Sequence, residues 1–213
     1  MAHILIIGAT RGIGRVTVDE ALDRGHTVRA FARSAETLGP ARERFEPWAG
    51  DALSAADVRE ALEGVDAVVQ ALGVQEGPCM VVGPVTLFSE ATAVLVPAME
   101  AAGVRRLVTV TGYGAGESRS RLPLPVRIAF EAVLGRAYDD KTRQERIIEQ
   151  SGLEWTIARP ARLTHGPRTG RFRVFTEAPQ GAYGAMSRRD VAVFLIDQVE
   201  NPTALRQAPV MFA

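Results

Sequence analysis

Short apolar runs rich in Ile and Val recur along the chain, at His3 to Ile7, Thr27 to Ala32, Asp66 to Ala71, Arg106 to Val110 and Glu154 to Ala158. They are nearly continuous rather than alternating, as expected of strands covered on both faces of a parallel sheet. Between them the apolar residues fall at helical spacing over Ile13 to Arg24, Ser54 to Leu62, Val85 to Ala102 and Arg136 to Gln150. Alternating strands and helices predict an α/β fold, a parallel sheet wound by right-handed crossovers with helices on both faces. One more strand is expected near Arg44 to Trp48, where Pro47 cannot donate a ladder hydrogen bond.

Local punctuation fits this parse. Gly25, Gly64, Gly103 and Gly152 each stand between a helical pattern and a strand, where a left-handed helix ending favours a residue without Cβ. Ser54, ahead of "AADVREAL", is placed to cap a helix by accepting a first-turn N–H. Two stretches resist the repeat. Gly112 to Pro125, "GYGAGESRSRLPLP", reads as a long mobile loop at the end of the fifth strand. After Arg159-Pro160 the chain runs irregularly until a helix near Arg188 to Val199 and a short strand in "PVMFA".

A chain of 213 residues, 46% hydrophobic, can bury a core as one domain. A single domain over residues 1–213 is therefore expected, with about 160–213 capping the substrate side of a cleft. Lys plus Arg and Asp plus Glu number 25 each, which suggests neither a nucleic-acid partner nor an anionic membrane surface. Small molecules are the expected partners. The lone Cys79 cannot form an intrachain disulfide, and no apolar run approaches the roughly 20 residues that span a bilayer. A reduced, cytoplasmic setting fits, and the apolar start reads as a first strand rather than a signal peptide. The three histidines and the cysteine are scattered without metal-ligand spacing.

Chemistry enters with "ILIIGATRGIG", residues 4–14. In a dinucleotide-binding turn one glycine makes the bend, another lets backbone approach the pyrophosphate, and a third allows close helix packing. Gly8, Gly12 and Gly14 can fill these roles, and a helix beginning near Ile13 would aim its free N–H groups at the phosphates. At the end of the second strand an acid would bind a ribose diol, whereas an Arg accommodates a 2′-phosphate. Here Arg33 and Ser34 stand in "RAFARSAE", with Arg11 in the glycine turn within reach, so NADP(H) is expected in preference to NAD(H).

With these residues in view, the chain resembles the short-chain dehydrogenase/reductase superfamily, in its atypical branch of small NAD(P)H-binding proteins that includes the biliverdin reductase B/flavin reductase and nitrogen-metabolite-repression-like groups. The resemblance covers nearly the whole chain and is carried by "GATRGIG", "FARS", "GDALSAADVREALEGVDAVVQALG", "VTVTGYG", "KTRQERIIEQSGLEWTIARPARLT" and "SRRDVAVFLIDQV". It implies a Rossmann-type doubly wound parallel sheet. It also implies that Thr10 and Ile13 join the glycines at the cofactor, that Asp51 and Ala52 meet the adenine edge, and that Ala71, Leu72 and Gly73 pass beneath the ribose and nicotinamide side. Lys141 resembles the lysine that atypical members keep for the cofactor ribose.

The catalytic set departs from the superfamily pattern. Standard members use Tyr-x-x-x-Lys, in which the ammonium lowers the tyrosine pKa. Tyr138 and Lys141 are only three residues apart, so Tyr138 is not carried over as the acid. Where members have a Ser or Thr, this chain has Thr111, expected to touch a substrate carbonyl or the nicotinamide amide, and Tyr113, a proton donor or aromatic lid. Solvent is a third proton source. His165 could face the substrate, though a lone loop histidine is the plainer reading, and Cys79 lacks a partner that would activate it.

Three functions compete. The first is an NADPH-dependent reductase of a planar flavin, quinone or conjugated carbonyl compound, in which the cofactor carries the hydride and the protein orients it. The second is an NADP(H)-binding redox sensor with little catalysis, favoured by the displaced Tyr and Lys. The third, a sugar-nucleotide epimerase or dehydratase, requires the intact Tyr-x-x-x-Lys pair and a larger substrate region. The chain is equally compatible with a monomer and a homodimer.

Overall fold

The computed structural model describes residues 1–74, 85–181 and 183–213. Its strands are β1 (His3–Ile7), β2 (Thr27–Ala32), β3 (Phe45–Ala49), β4 (Ala67–Gln70), β5 (Arg106–Val110), β6 (Glu154–Pro160), β7 (Arg162–Thr164), β8 (Arg173–Phe175), β9 (Ala185–Ser187) and β10 (Val210–Phe212). Its α-helices are α1 (Gly12–Asp23), α2 (Ala55–Ala61), α3 (Leu87–Ala102), α4 (Leu124–Glu149) and α5 (Arg188–Glu200). The main sheet runs β3-β2-β1-β4-β5-β6-β10-β8 and is parallel except for β8, which runs against β10. It is a Rossmann-type doubly wound sheet. Cys79 lies outside the described residues.

Alternate residues of each buried strand feed opposite cores. Ile4 and Ile6 of β1 pack with Val18 and Ala21 of α1 and with Val191 and Leu195 of α5. Leu5 and Ile7 point the other way, into Val58 of α2, Leu95 and Met99 of α3 and Ile148 of α4. With both faces covered, every position from Ile4 to Ile7 is buried, which is why the run is continuously apolar. β3 pairs only with β2, so the missing N–H of Pro47 falls on an edge strand, where it disrupts no second ladder.

The glycine turn is held by backbone packed on backbone. Gly8 has φ 89°, and a Cβ there would lie 2.7 Å from the Ala71 carbonyl oxygen at the end of β4. A Cβ on Gly14 would lie 2.1 Å from the Gly8 oxygen. Helix α1 thus rests directly on the end of β1, while β4 lies beside it. Gly12 differs: at φ 59° it has nothing within 4 Å of the Cβ position and faces open space.

Several expectations are corrected. Gly25, Gly64 and Gly103 have left-handed φ values of 84°, 70° and 73°, but Gly152 does not. Its N–H instead donates to Glu100 Oε1 at 3.0 Å, so α4 ends without a left-handed residue. The segment expected as a loose loop, Gly112 to Pro125, is a packed turn. It contains a 3-10 helix (Gly116–Arg121), and Ser118 Oγ accepts from the Gly114 N–H at 3.0 Å while donating to the Ala115 oxygen at 2.6 Å. Helix α4 begins at Leu124 rather than Arg136; Pro125 sits in its first turn, where no hydrogen bond is lost, but the exposed Leu124, Ile128 and Val133 obscure the helical pattern. The tail is also more ordered than expected. β7 and β9 form a small parallel sheet, and β8 extends the main one.

Gly14→Ala should lower stability by about 3 kcal/mol or more, because the added carbon collides with rigid backbone. Gly12→Ala should cost only the left-handed strain, about 1–2 kcal/mol. Urea denaturation of the two variants checks this order.

Candidate functional site

A cleft of about 1010 Å³ opens at the carboxyl ends of β1, β2, β4, β5 and β6. The strand order places it where β2 and β4 leave β1 on opposite sides, the crevice in which open α/β sheets take ligands. At its centre is the amino end of α1. Arg11 stands at the cap position with no side-chain cap hydrogen bond, and no acid occupies the first turn. The first N–H groups are therefore left to a ligand, and Gly12 leaves the approach free of side chain.

The residues singled out in the sequence converge on this cleft. Gly8, Thr10, Arg11, Gly12 and Ile13 line its centre, and Gly14, beneath them, serves packing instead. Exposed Arg33 and Ser34 follow β2 at one end, beside Asp51 and Ala52. Asp51 Oδ1 accepts from the Leu53 N–H at 3.0 Å, which fixes the carboxylate at the mouth. Ala71, Leu72 and Gly73 run along the end of β4, where Arg11 Nη2 donates to the Gly73 oxygen at 3.4 Å. Thr111, Tyr113, Lys141 and His165 line the remaining wall.

Lys141 is enclosed rather than solvated. Its Nζ donates to the Thr111 carbonyl oxygen and lies 5.0 Å from the ring centres of both Phe88 and Tyr138. Burial pushes its pKa down to about 8, with the Glu145 charge opposing. The ammonium stands over the Tyr138 ring and does not offset the burial of that phenol. The Tyr138 pKa is pushed up to about 12, chiefly by burial. At the three-residue spacing, then, the ammonium meets the ring and the phenol is raised rather than acidified.

The hydroxyls of Thr111 and Tyr113 are already engaged. Thr111 Oγ1 donates to Glu145 Oε1 at 2.6 Å, so its proton is not free for a substrate carbonyl. Tyr113 is 2% exposed, and its hydroxyl donates to the Pro179 oxygen at 3.5 Å. Its ring stacks with Tyr183 at 6.3 Å, and burial raises its pKa. Tyr113 therefore acts as wall more readily than as acid.

Several supporting residues escaped the sequence. Glu145 grips Arg159 through Nε at 2.9 Å and Nη2 at 2.8 Å, and Arg159 also binds Glu117. Asp140 accepts from the Phe88 N–H at 2.8 Å and from the Ser89 N–H and hydroxyl. It caps α3 from another helix, since Thr86 makes no side-chain cap bond, and so holds Phe88 over Lys141. Phe130, Leu134 and Tyr183 complete an apolar wall with Tyr113 and Tyr138. The only available sign was composition: the chain has three tyrosines, and all three line this one cleft. Among the described residues no cluster of His, Cys, Asp and Glu could hold a metal, and no helix is long and apolar enough to cross a membrane.

Comparison with known proteins agrees with this geometry. The model of a family described as NAD(P)H-binding matches residues 8–202. The chain is 25% identical over 213 residues to the photosystem II assembly factor Ycf39 of Synechocystis sp., covering 96% of this chain but only 60% of that protein's length. A short-chain dehydrogenase/reductase from Veillonella parvula, solved in complex with NADP, superposes with a TM-score of 0.84 at 17% identity, covering 100% of this chain and 94% of that one. The anaerobillin reductase ChuY from Escherichia coli O157:H7 gives 0.79 at 24% identity, covering 99% and 96%.

A pH test isolates Lys141. Raising pH through about 8 removes its positive charge, so cofactor affinity should fall above that pH in the wild type and lose this limb in Lys141→Met. Unfolding cannot mimic the effect: between the lowered folded pKa and the ordinary unfolded one the unfolded chain binds more protons, so this group's contribution to stability rises with pH. Fluorescence titration with NADPH across pH, with melting temperatures alongside, checks both signs.

Proposed function

Because this chain belongs to the NAD(P)H-binding family matched over residues 8–202, we propose that it is an NADPH-dependent reductase of the atypical short-chain type, transferring hydride to a small planar acceptor. The observation that carries the reading is the aromatic wall. Tyr113, Tyr138, Tyr183 and Phe130 stand at the end of the cleft away from Arg33, beside Lys141, where a flat molecule would lie against ring faces. The anaerobillin reductase among the structural relatives supports the reaction class.

The residues present fit the dinucleotide. The uncapped end of α1 and the open side of Gly12 receive the pyrophosphate, and Arg33 and Arg11, with Ser34, receive a 2′-phosphate. Asp51 and Ala52 take the adenine, and the Ala71 to Gly73 backbone supports the ribose and nicotinamide side. Lys141, tethered to the Thr111 carbonyl, keeps donor hydrogens for ribose hydroxyls. When bound, NADPH supplies the hydride. The protein's share is orientation and exclusion of water, since the buried Tyr113 and the aromatic wall close the acceptor's side. With Thr111 and Tyr113 committed to protein partners and the Tyr138 phenol at about 12, the side chains orient the acceptor and solvent supplies the proton.

The same commitments favour the second reading, a dinucleotide sensor, if turnover is absent. Steady-state NADPH oxidation with a panel of flavins, quinones and conjugated carbonyl compounds, with NADH as parallel donor, separates the two. Turnover with NADPH supports the reductase, whereas tight binding without turnover supports the sensor. Arg33→Ala should weaken NADPH by about 1–3 kcal/mol and leave NADH nearly unchanged. Equal losses for both would remove the 2′-phosphate role.

A further inference from the structure

The chain is neutral overall, with 25 basic and 25 acidic residues, yet the cleft is not. Arg11, Arg33, Lys141, Arg162, His165 and Arg188 line it, against Asp51 as the one acid among the described lining residues. Arg11, Arg33 and Lys141 are accounted for by the dinucleotide. Arg162, His165 and Arg188 are not. Arg162 follows β6, which the sheet order separates from β2 by three intervening strands, or roughly 19 Å at ordinary strand spacing. That distance keeps it from the phosphate that Arg33 would hold.

The tail brings these three together. β7 and β9 pair in parallel with Thr164 opposite Ser187, so His165 and Arg188 leave the two strands side by side. Arg188 opens α5, and its Nη1 is buried without an acceptor among the described residues. A buried guanidinium nitrogen without a partner is costly, and a ligand atom in the cleft would remove the cost. The carboxylate two residues on cannot serve it, because Asp190 is filled. Its Oδ1 accepts from the Thr169 and Gly170 N–H groups at 2.8 and 2.9 Å, and its Oδ2 accepts from the Thr169 and Ser187 hydroxyls at 2.9 and 2.8 Å. The same bonds hold the loop after β7 against α5, which preorganises the cations.

We infer that Arg188, with Arg162 and His165, forms an anion-binding arm of the acceptor site, so that the preferred acceptor joins a planar body to a carboxylate or phosphate group. The arm rests on the reductase reading for its use in turnover, but its binding is measurable without turnover. The protein loaded with NADP⁺ is titrated by calorimetry with two matched pairs, menadione against a carboxylate-bearing analogue, and riboflavin against FMN. The anionic member should bind at least about tenfold tighter, equivalent to about 1.4 kcal/mol. Arg188→Met should reduce the preference to within about twofold while NADP⁺ affinity and melting temperature hold, and the more exposed Arg162→Met should reduce it in part. Preference in the quinone pair alone assigns a carboxylate and in the flavin pair alone a phosphate, and either supports the arm.

Equal binding of both members by the wild type, or a preference that survives both substitutions, overturns the inference. So does a matching loss of NADP⁺ affinity in Arg188→Met, which would assign that guanidinium to the dinucleotide. Anion preference without NADPH oxidation keeps the arm and removes the reductase reading. NADPH oxidation without anion preference does the reverse.

Discussion

The wall of the cleft built on α4 depends on one guanidinium. Arg159, 1% exposed near the end of β6, is held bidentately by Glu145 of α4 and reaches Glu117 in the turn after β5. Glu145 also accepts the hydrogen bond from the Thr111 hydroxyl. Three segments, the end of β5 with the turn after it, α4 and β6, therefore meet at the buried Arg159–Glu145 pair. Removing Arg159 or Glu145 would leave its partner's charge uncompensated in the interior, a cost of about 3–5 kcal/mol, whereas Glu117 is largely exposed and its loss leaves that pair intact. A Cβ on Gly116 would lie 2.6 Å from Glu145 and 2.8 Å from Arg159, so the turn too is fitted around the pair.

From that cluster the geometry of the site follows outward. Fixing α4 against β5 and β6 fixes Lys141 over the Thr111 carbonyl and stacks it on Tyr138. Asp140, one residue before the lysine, sets the start of α3 and hence the Phe88 ring. Helix α4 thus supplies the cation, its Tyr138 neighbour and the cap of the preceding helix α3. The price of enclosing the lysine is its lowered pKa, which brings its titration close to neutral pH.

The two halves of the cleft differ in how they are made. The dinucleotide half is mostly backbone: the glycine turn, the end of α1 and the ends of β2 and β4. Such surfaces tolerate wide change in side chains. The opposite half is mostly side chain, from α4 and from the small β7–β9 sheet with the start of α5.

By itself the sequence determined β1 to β6, the helices between them apart from the start of α4, and the glycine turn. These depend on local steric rules and on apolar runs long enough to read: Gly8 and Gly14 admit no Cβ, and Ile4 to Ile7 tolerate no water. Arg33 and Asp51 could be placed because they follow β2 and β3, whereas Lys141, in the middle of α4, was expected only from the resemblance. Tertiary structure alone decided the rest. Whether Gly112 to Pro125 is a loop or a packed turn depends on Arg159 and Thr142, the latter accepting from the Gly116 N–H across 26 residues. Whether Thr111 faces a substrate depends on Glu145, 34 residues away. Even the three-residue spacing of Tyr138 and Lys141 acquired meaning only when the ammonium was seen over the ring, because local spacing sets directions on a helix while burial and partners set charge.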